Sequence, residues 1–166
     1  MVRSDPDPAP VPALPTGMRI GIVVSSYHPE ITGGMASSAR AVLAEAGVDV
    51  ESNLLRFEAP GAYELPLLAH ALARRADVDA VLAFGLILKG ETEHDRHIAG
   101  ATANGLMQVG LETSKPVLFG VLTCNTLEQA QARARVAAEG GLDKGREVAL
   151  AAIHALNTVR SIATRS

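Results

Sequence analysis

Four short runs of aliphatic and β-branched residues recur along the chain, and each is followed by a segment whose apolar residues fall at helical spacing. The pattern predicts strands over 19–24, 48–57, 80–84 and 116–122 and helices over 31–47, 60–76, 94–113, 127–138 and 144–163. Gly47 is placed to close the first helix at C′, and Pro66 must lie in the first turns of the second. Gly140-Gly141 separates the last two helices. Strands that are apolar throughout and alternate with helices must be covered on both faces, which means a parallel sheet. Right-handed crossovers then give a flavodoxin-like three-layer α/β/α sandwich, an α/β fold with a four-stranded parallel sheet.

Two stretches stand outside that pattern. Residues 1–17 are proline-dense and exclude a helix interior, so an extended or disordered arm is expected, either free or docked on a neighbouring subunit. Residues 18–166 form the domain. Within it, 98–105 combines two glycines with three alanines, poor material for a lone surface helix. That stretch suits close helix packing, inside the domain or between subunits.

The net charge of -3 gives no electrostatic footprint for nucleic acid, and two Tyr, three Phe and no Trp leave no stacking platform for bases. A single cysteine, Cys124, excludes an intramolecular disulfide and a cysteine-based zinc cluster. No segment reaches membrane-spanning length and no continuous apolar leader is evident, so a cytoplasmic protein is expected.

Ligands of open α/β sheets bind beyond the carboxyl ends of the strands. The richest such segment is Gly85–His97, read as a glycine-flanked loop that ends in a helix start. Backbone N–H groups and a helix N-terminus suit an anion there, and His94 in the first helical turn can carry a proton near neutral pH. Ser25–Pro29, Phe57–Glu64 and Thr123–Thr126 follow the other strands, and both tyrosines, Tyr27 and Tyr63, fall in these loops. Singly these signals are weak. Tyr27 also suits a core edge, Glu64 a helix dipole, and Lys89 and Arg133 solvent. His94 and His97 lack further metal ligands, so no metal is expected, and Cys124 reads as a small buried residue.

From about Met18 onward the sequence resembles the 6,7-dimethyl-8-ribityllumazine synthase family. The resemblance rests on Pro60-Gly61-Ala62-Tyr63-Glu64-Leu65-Pro66, Lys89-Gly90-Glu91-Thr92-Glu93-His94, Phe119-Gly120-Val121-Leu122-Thr123 with Leu127-Glu128-Gln129-Ala130, and Asp143-Lys144-Gly145. It implies a condensation of 5-amino-6-(D-ribitylamino)uracil with 3,4-dihydroxy-2-butanone 4-phosphate in riboflavin biosynthesis, with no cofactor. By the same resemblance Tyr27 stacks on the pyrimidine, and Ala62, Tyr63 and Glu64 hold the ribityl chain. Ile87 and Leu88 contact the ring through their backbone. Glu91, Thr92 and Arg133 bind phosphate, His94 transfers protons, Phe119 reaches in from an adjacent subunit, and Lys144 lies near the substrates. The family implies a homo-oligomer built on a pentamer, with decamers and sixty-subunit shells as larger forms. The Gly140-Gly141 break favours a pentamer or decamer.

The sequence departs from the family pattern in places. Asp95 and Arg96 follow the histidine where an aromatic and an acidic residue are usual, leaving Asp95 or Glu91 to orient it. Ala137 replaces a lysine found in some members, and 135–143 is slightly long. The competing readings are a flavin- or lumazine-binding protein on the same scaffold and a shell-forming paralogue with little turnover.

Overall fold

In a computed structural model, which describes residues 10–164, the four apolar runs lie side by side in one sheet. The strands are β1 (Ile20–Ser25), β2 (Leu54–Ala59), β3 (Ala80–Leu88) and β4 (Val117–Cys124), all parallel, in the order β2-β1-β3-β4. The helices are α1 (Pro29–Glu45), α2 (Leu65–Ala73), α3 (His94–Thr113), α4 (Leu127–Ala134) and α5 (Lys144–Thr164), with a short 3₁₀ turn at Ala137–Glu139. The chain order turns back between β1 and β3, which is where an open α/β sheet offers a crevice at its carboxyl edge. The flavodoxin-like three-layer sandwich expected from the sequence is the fold observed.

The period of two along each strand sorts side chains between the layers. Ile20, Ile22, Val24, Leu82, Phe84 and Leu122 pack with residues of α1, α4 and α5. Val23, Val81, Ala83, Ile87 and Val121 pack with α2 and α3. Gly47 closes α1 with φ +96°, a conformation that glycine adopts without strain.

Several expected boundaries shift, each for a local reason. The strand expected over 48–57 is confined to Leu54–Ala59. Asp49 accepts the N–H groups of Glu51 and Ser52 (3.2 Å each), and its carbonyl accepts the Asn53 N–H at 2.7 Å, so a turn replaces extended chain. The second helix is shorter than 60–76, starting after Glu64, and Pro66 does sit in its first turn. β3 runs past Phe84 to Leu88. Gly85 therefore belongs to the strand and not to a loop: a Cβ on it would lie 2.9 Å from Leu65 Cδ1, so glycine here lets α2 close on the sheet. The helix from Leu127 ends at Ala134, because Arg135 and Val136 are extended before the 3₁₀ turn.

In α3, Gly105 permits tight packing inside the domain, since a Cβ would lie 2.8 Å from Pro66 Cβ, while Gly100 faces open space. Of the arm, residues 1–9 lie outside the described residues. Residues 10–17 carry neither helix nor strand. Leu14 is buried and its N–H donates to the Ala46 carbonyl (2.8 Å), while Asn157 Nδ2 donates to the Ala13 carbonyl (3.2 Å).

Candidate active site

At the end of β1 the chain turns sharply into α1. The buried Thr32 hydroxyl donates to the Ser25 carbonyl (2.8 Å), lies 3.2 Å from the His28 carbonyl, and His28 takes a left-handed φ of 53°. This turn projects Tyr27, which is 68% exposed and so does not serve as a core edge. At the end of β2, Ala62 is buried and its carbonyl accepts the buried Thr102 hydroxyl of α3 (3.1 Å), which ties this segment to the neighbouring helix. Tyr63 is 62% exposed and Glu64 is the N-cap residue of α2.

Gly61 is where these groups meet. A Cβ on it would lie 3.2 Å from Glu64 Oε2 and 3.7 Å from Tyr27 Cδ2. An aromatic ring and a carboxylate thus flank bare backbone. That combination can take the face of a planar ring and the hydroxyls of a polyol.

The end of β3 supplies the anion side. Ile87 and Leu88 are in register with Thr123 and Cys124, and the Lys89 N–H donates to the Cys124 carbonyl (2.9 Å). The loop is therefore only Lys89–Glu93, four residues shorter at its start than expected. Glu91 and Thr92 are exposed in it, and Thr92 Oγ1 accepts the His94 N–H at 3.4 Å. His94 opens α3 with an exposed side chain, and among the described residues its imidazole receives no hydrogen bond. Neither Asp95 nor Glu91 is bonded to it. Arg96 turns back to Glu93 (3.0 Å), leaving the histidine to solvent or ligand.

After β4, Thr126 caps α4 by accepting the Gln129 N–H (3.3 Å), and Gln129 Oε1 accepts the Asn125 N–H (3.0 Å). The Glu128 carboxyl is held below its ordinary range by a backbone N–H, with the Thr126 hydroxyl adding to the effect. Arg133 Nη1 donates to the Gln129 carbonyl (3.1 Å), and its charge lies close enough to act on the buried Cys124 thiol. Burial pushes that thiol up more than the guanidinium pulls it down, so it is a poor nucleophile at neutral pH.

The structure thus gathers Tyr27, Ala62, Tyr63 and Glu64 at one corner of the carboxyl edge. Ile87, Leu88, Glu91, Thr92, His94 and Arg133 lie along the adjoining β3 and β4 ends. Two predicted residues stand apart. Phe119 pairs with Ala83, five residues before Cys124 at the end of the edge strand β4, hence roughly 16 Å back from the strand end, and it is 41% exposed. Lys144 heads α5 beside the middle of α1 and pairs with Glu147 (2.9 Å). Sequence reasoning assigned no role to Thr32, Thr102 or Asp143, three of the buried polar residues that fix these turns. Among them only Asp143 carried a signal, as the residue preceding Lys144-Gly145.

Residues 17–160 match the family model described as 6,7-dimethyl-8-ribityllumazine synthase. The chain is 46% identical over 148 residues to 6,7-dimethyl-8-ribityllumazine synthase 1 of Caulobacter vibrioides, covering 89% of this chain and 94% of that protein. It is 42% identical over 148 residues to 6,7-dimethyl-8-ribityllumazine synthase of Thermus thermophilus, covering 88% and 90%. It is 41% identical over 146 residues to the Streptomyces coelicolor protein of that name, covering 87% of each chain.

Proposed function

Because the chain belongs to the 6,7-dimethyl-8-ribityllumazine synthase family, we propose that the carboxyl edge of its sheet is the place where the family's two substrates meet. The reaction is the condensation of 5-amino-6-(D-ribitylamino)uracil with 3,4-dihydroxy-2-butanone 4-phosphate. It yields 6,7-dimethyl-8-ribityllumazine, phosphate and water in riboflavin biosynthesis, and the enzyme is a transferase.

The convergence of the Tyr27 ring and the Glu64 carboxylate on the Gly61 backbone carries the site assignment. Tyr27 stacks on the pyrimidine, while Glu64 and the Ala62-Tyr63 backbone hold the ribityl hydroxyls. Ile87 and Leu88 align the ring edge through their backbone groups. Schiff-base formation, phosphate elimination and ring closure each move protons, and the exposed His94 is the carrier. Arg133 with the Glu91-Thr92 turn stabilises the phosphate as it departs. Holding both substrates in register contributes as well, since orientation alone can be worth roughly 7–11 kcal/mol.

This corner is half a site. Tyr27 and Tyr63 lie open, and Phe119 is set back along an edge strand, out of reach of its own strand end. Phe119 therefore closes the pocket of a neighbouring subunit, and Lys144 adds its charge near the bound substrates. The assembly is a homo-oligomer built on pentamers, working in the cytoplasm without nucleic acid. Among the described residues no helix is long and apolar enough to cross a membrane. No observation favours a binding-only or shell-forming protein.

Steady-state kinetics, read by lumazine absorbance, test the roles. Arg133→Ala raises KM for the butanone phosphate about tenfold or more and leaves that of the pyrimidine within about twofold. His94→Ala lowers kcat by roughly tenfold to a hundredfold with pyrimidine affinity almost intact, the modest end of what a proton carrier contributes. Equal losses for both substrates in the first variant, or an unchanged rate in the second, would overturn the corresponding assignment.

A further inference from the structure

We infer that Asp143 is a positioning residue for the phosphate side of the site, an inference that rests on the role just given to Arg133. Asp143 is only 7% exposed, an unusual location for a carboxylate that no cation pairs with among the described residues. It sits immediately before α5 with φ +47°, in the left-handed region that costs a non-glycine residue energy. A buried, strained acid persists only where its surroundings over-determine it, and here they do.

Its carboxylate gathers three donors from three separate elements. Oδ1 accepts the Ser38 hydroxyl of α1 at 2.5 Å and the Arg146 N–H of the first turn of α5 at 3.0 Å. Oδ2 lies 3.5 Å from the Ala137 N–H in the 3₁₀ turn. Its own N–H donates to the Arg135 carbonyl (3.0 Å), and the preceding Leu142 N–H donates to the Ala132 carbonyl (3.0 Å). Those two bonds fold the returning loop against the last turn of α4, the turn that carries Arg133. The bond to Arg146 caps the helix that begins with Lys144.

Among the described residues Asp143 is thus the one side chain bonded to α1, to the α4–α5 connection and to α5 together. Its neighbour Gly145 presses the start of α5 directly on the Met35 carbonyl of α1, where a Cβ would collide with backbone, so the helix head has a fixed seat for the cap to hold. Arg133 and Lys144, eleven positions apart across a connection containing Gly140-Gly141, gain a fixed mutual geometry from this clasp. Neither Asp143 nor Ser38 needs to touch substrate.

A role through Arg133 predicts a substrate-selective effect, which general loosening of the fold would not give. Asp143→Ala is expected to raise KM for the butanone phosphate about tenfold while KM for the pyrimidine stays within about twofold. Asp143→Asn, which keeps an oxygen acceptor for the Arg146 N–H, is expected to recover most of that loss. Ser38→Ala removes one donor without touching the helix cap and should show the same selectivity, about threefold; it decides the matter if Asp143→Ala does not fold. Arg133→Ala is measured alongside. If it raises KM for the phosphate substrate while the Asp143 and Ser38 variants leave both KM values unchanged, or raise them equally, the positioning role is overturned and the site reading stands. If Arg133→Ala has no selective effect, the site reading falls and the positioning role with it.

Discussion

The two faces of the sheet are built differently. On the face covered by α1, α4 and α5, strand side chains such as Ile20, Leu82 and Phe84 meet Met35, Leu43 and Ile153 with none of them exposed to solvent. On the face covered by α2 and α3 the sheet-facing side chains, such as Val81 and Leu65, are equally buried, but the outer surface of the helices carries open apolar residues. Of the 20 residues of α3 only Thr102, Leu106 and Val109 are buried, while Met107 and Leu111, one turn apart, are open, as is Leu67 of α2. Polar contacts at the amino end supplement the packing there: His70 Nε2 lies 3.5 Å from Glu112, and Lys115 donates to the Arg75 carbonyl at 2.6 Å. On the first face Val159 and Ile162 of α5 are open too, but they lie past Leu156, the last buried residue of that helix. The other face has apolar surface that a second chain can cover, which the proposed closure of the pocket by a neighbour would require.

Truncating a large side chain on each face puts that contrast to its hardest test. Phe84→Ala, on the sealed face, should cost about 3–5 kcal/mol of folding stability by urea denaturation, from lost burial plus the cavity left behind. A loss no larger than that of a surface substitution would contradict the description of that face as a finished core. Leu111→Ala, on the open face, should change the folding of the single chain by less than about 0.5 kcal/mol. If this open apolar area lies between chains, the change should instead shift sedimentation towards smaller species. An unaltered sedimentation profile would place the subunit contact elsewhere.

The strand cores were the most legible part of the sequence. β1, β3 and β4 are continuous apolar runs and α1 ends in a glycine at C′, so pattern alone located them. The errors came where a residue type has two physical uses. Gly85 read as a loop residue, since glycine usually marks a turn, yet it is a strand residue that makes room for Leu65. Val48–Asn53 looked extended until the Asp49 side chain claimed the backbone for a turn. The candidate corner could be singled out because aromatics are scarce and both tyrosines fall in the loops after strands. The seat of Phe119, well back from the strand end, follows only from the β3–β4 register. The bond between Ser38 and Asp143 spans 105 positions, and no local pattern announces it.

The smallest effect concerns the polar clasp at the amino end of the open face. Asp77, in the turn between α2 and β3, accepts two bonds from Arg75 (2.9 and 2.8 Å) and one from Arg19 of the strand lead-in (2.6 Å). The Arg75 guanidinium first, and Arg19 with it, hold its carboxyl well below the usual carboxylate range. A carboxyl depressed in the folded state stabilises the fold above its unfolded pKa, near about 4, and that contribution is lost as pH falls through the lower, folded value. The group is well exposed, so water and salt screen it and the effect is slight. Urea midpoints should therefore show Asp77→Asn marginally less stable than the parent chain at pH 7, the gap narrowing only as pH drops below about 4. Salt should shrink the gap at pH 7, and the Phe84→Ala loss should ignore salt altogether. A gap independent of both pH and salt would mean that Asp77 acts by shape and not by charge.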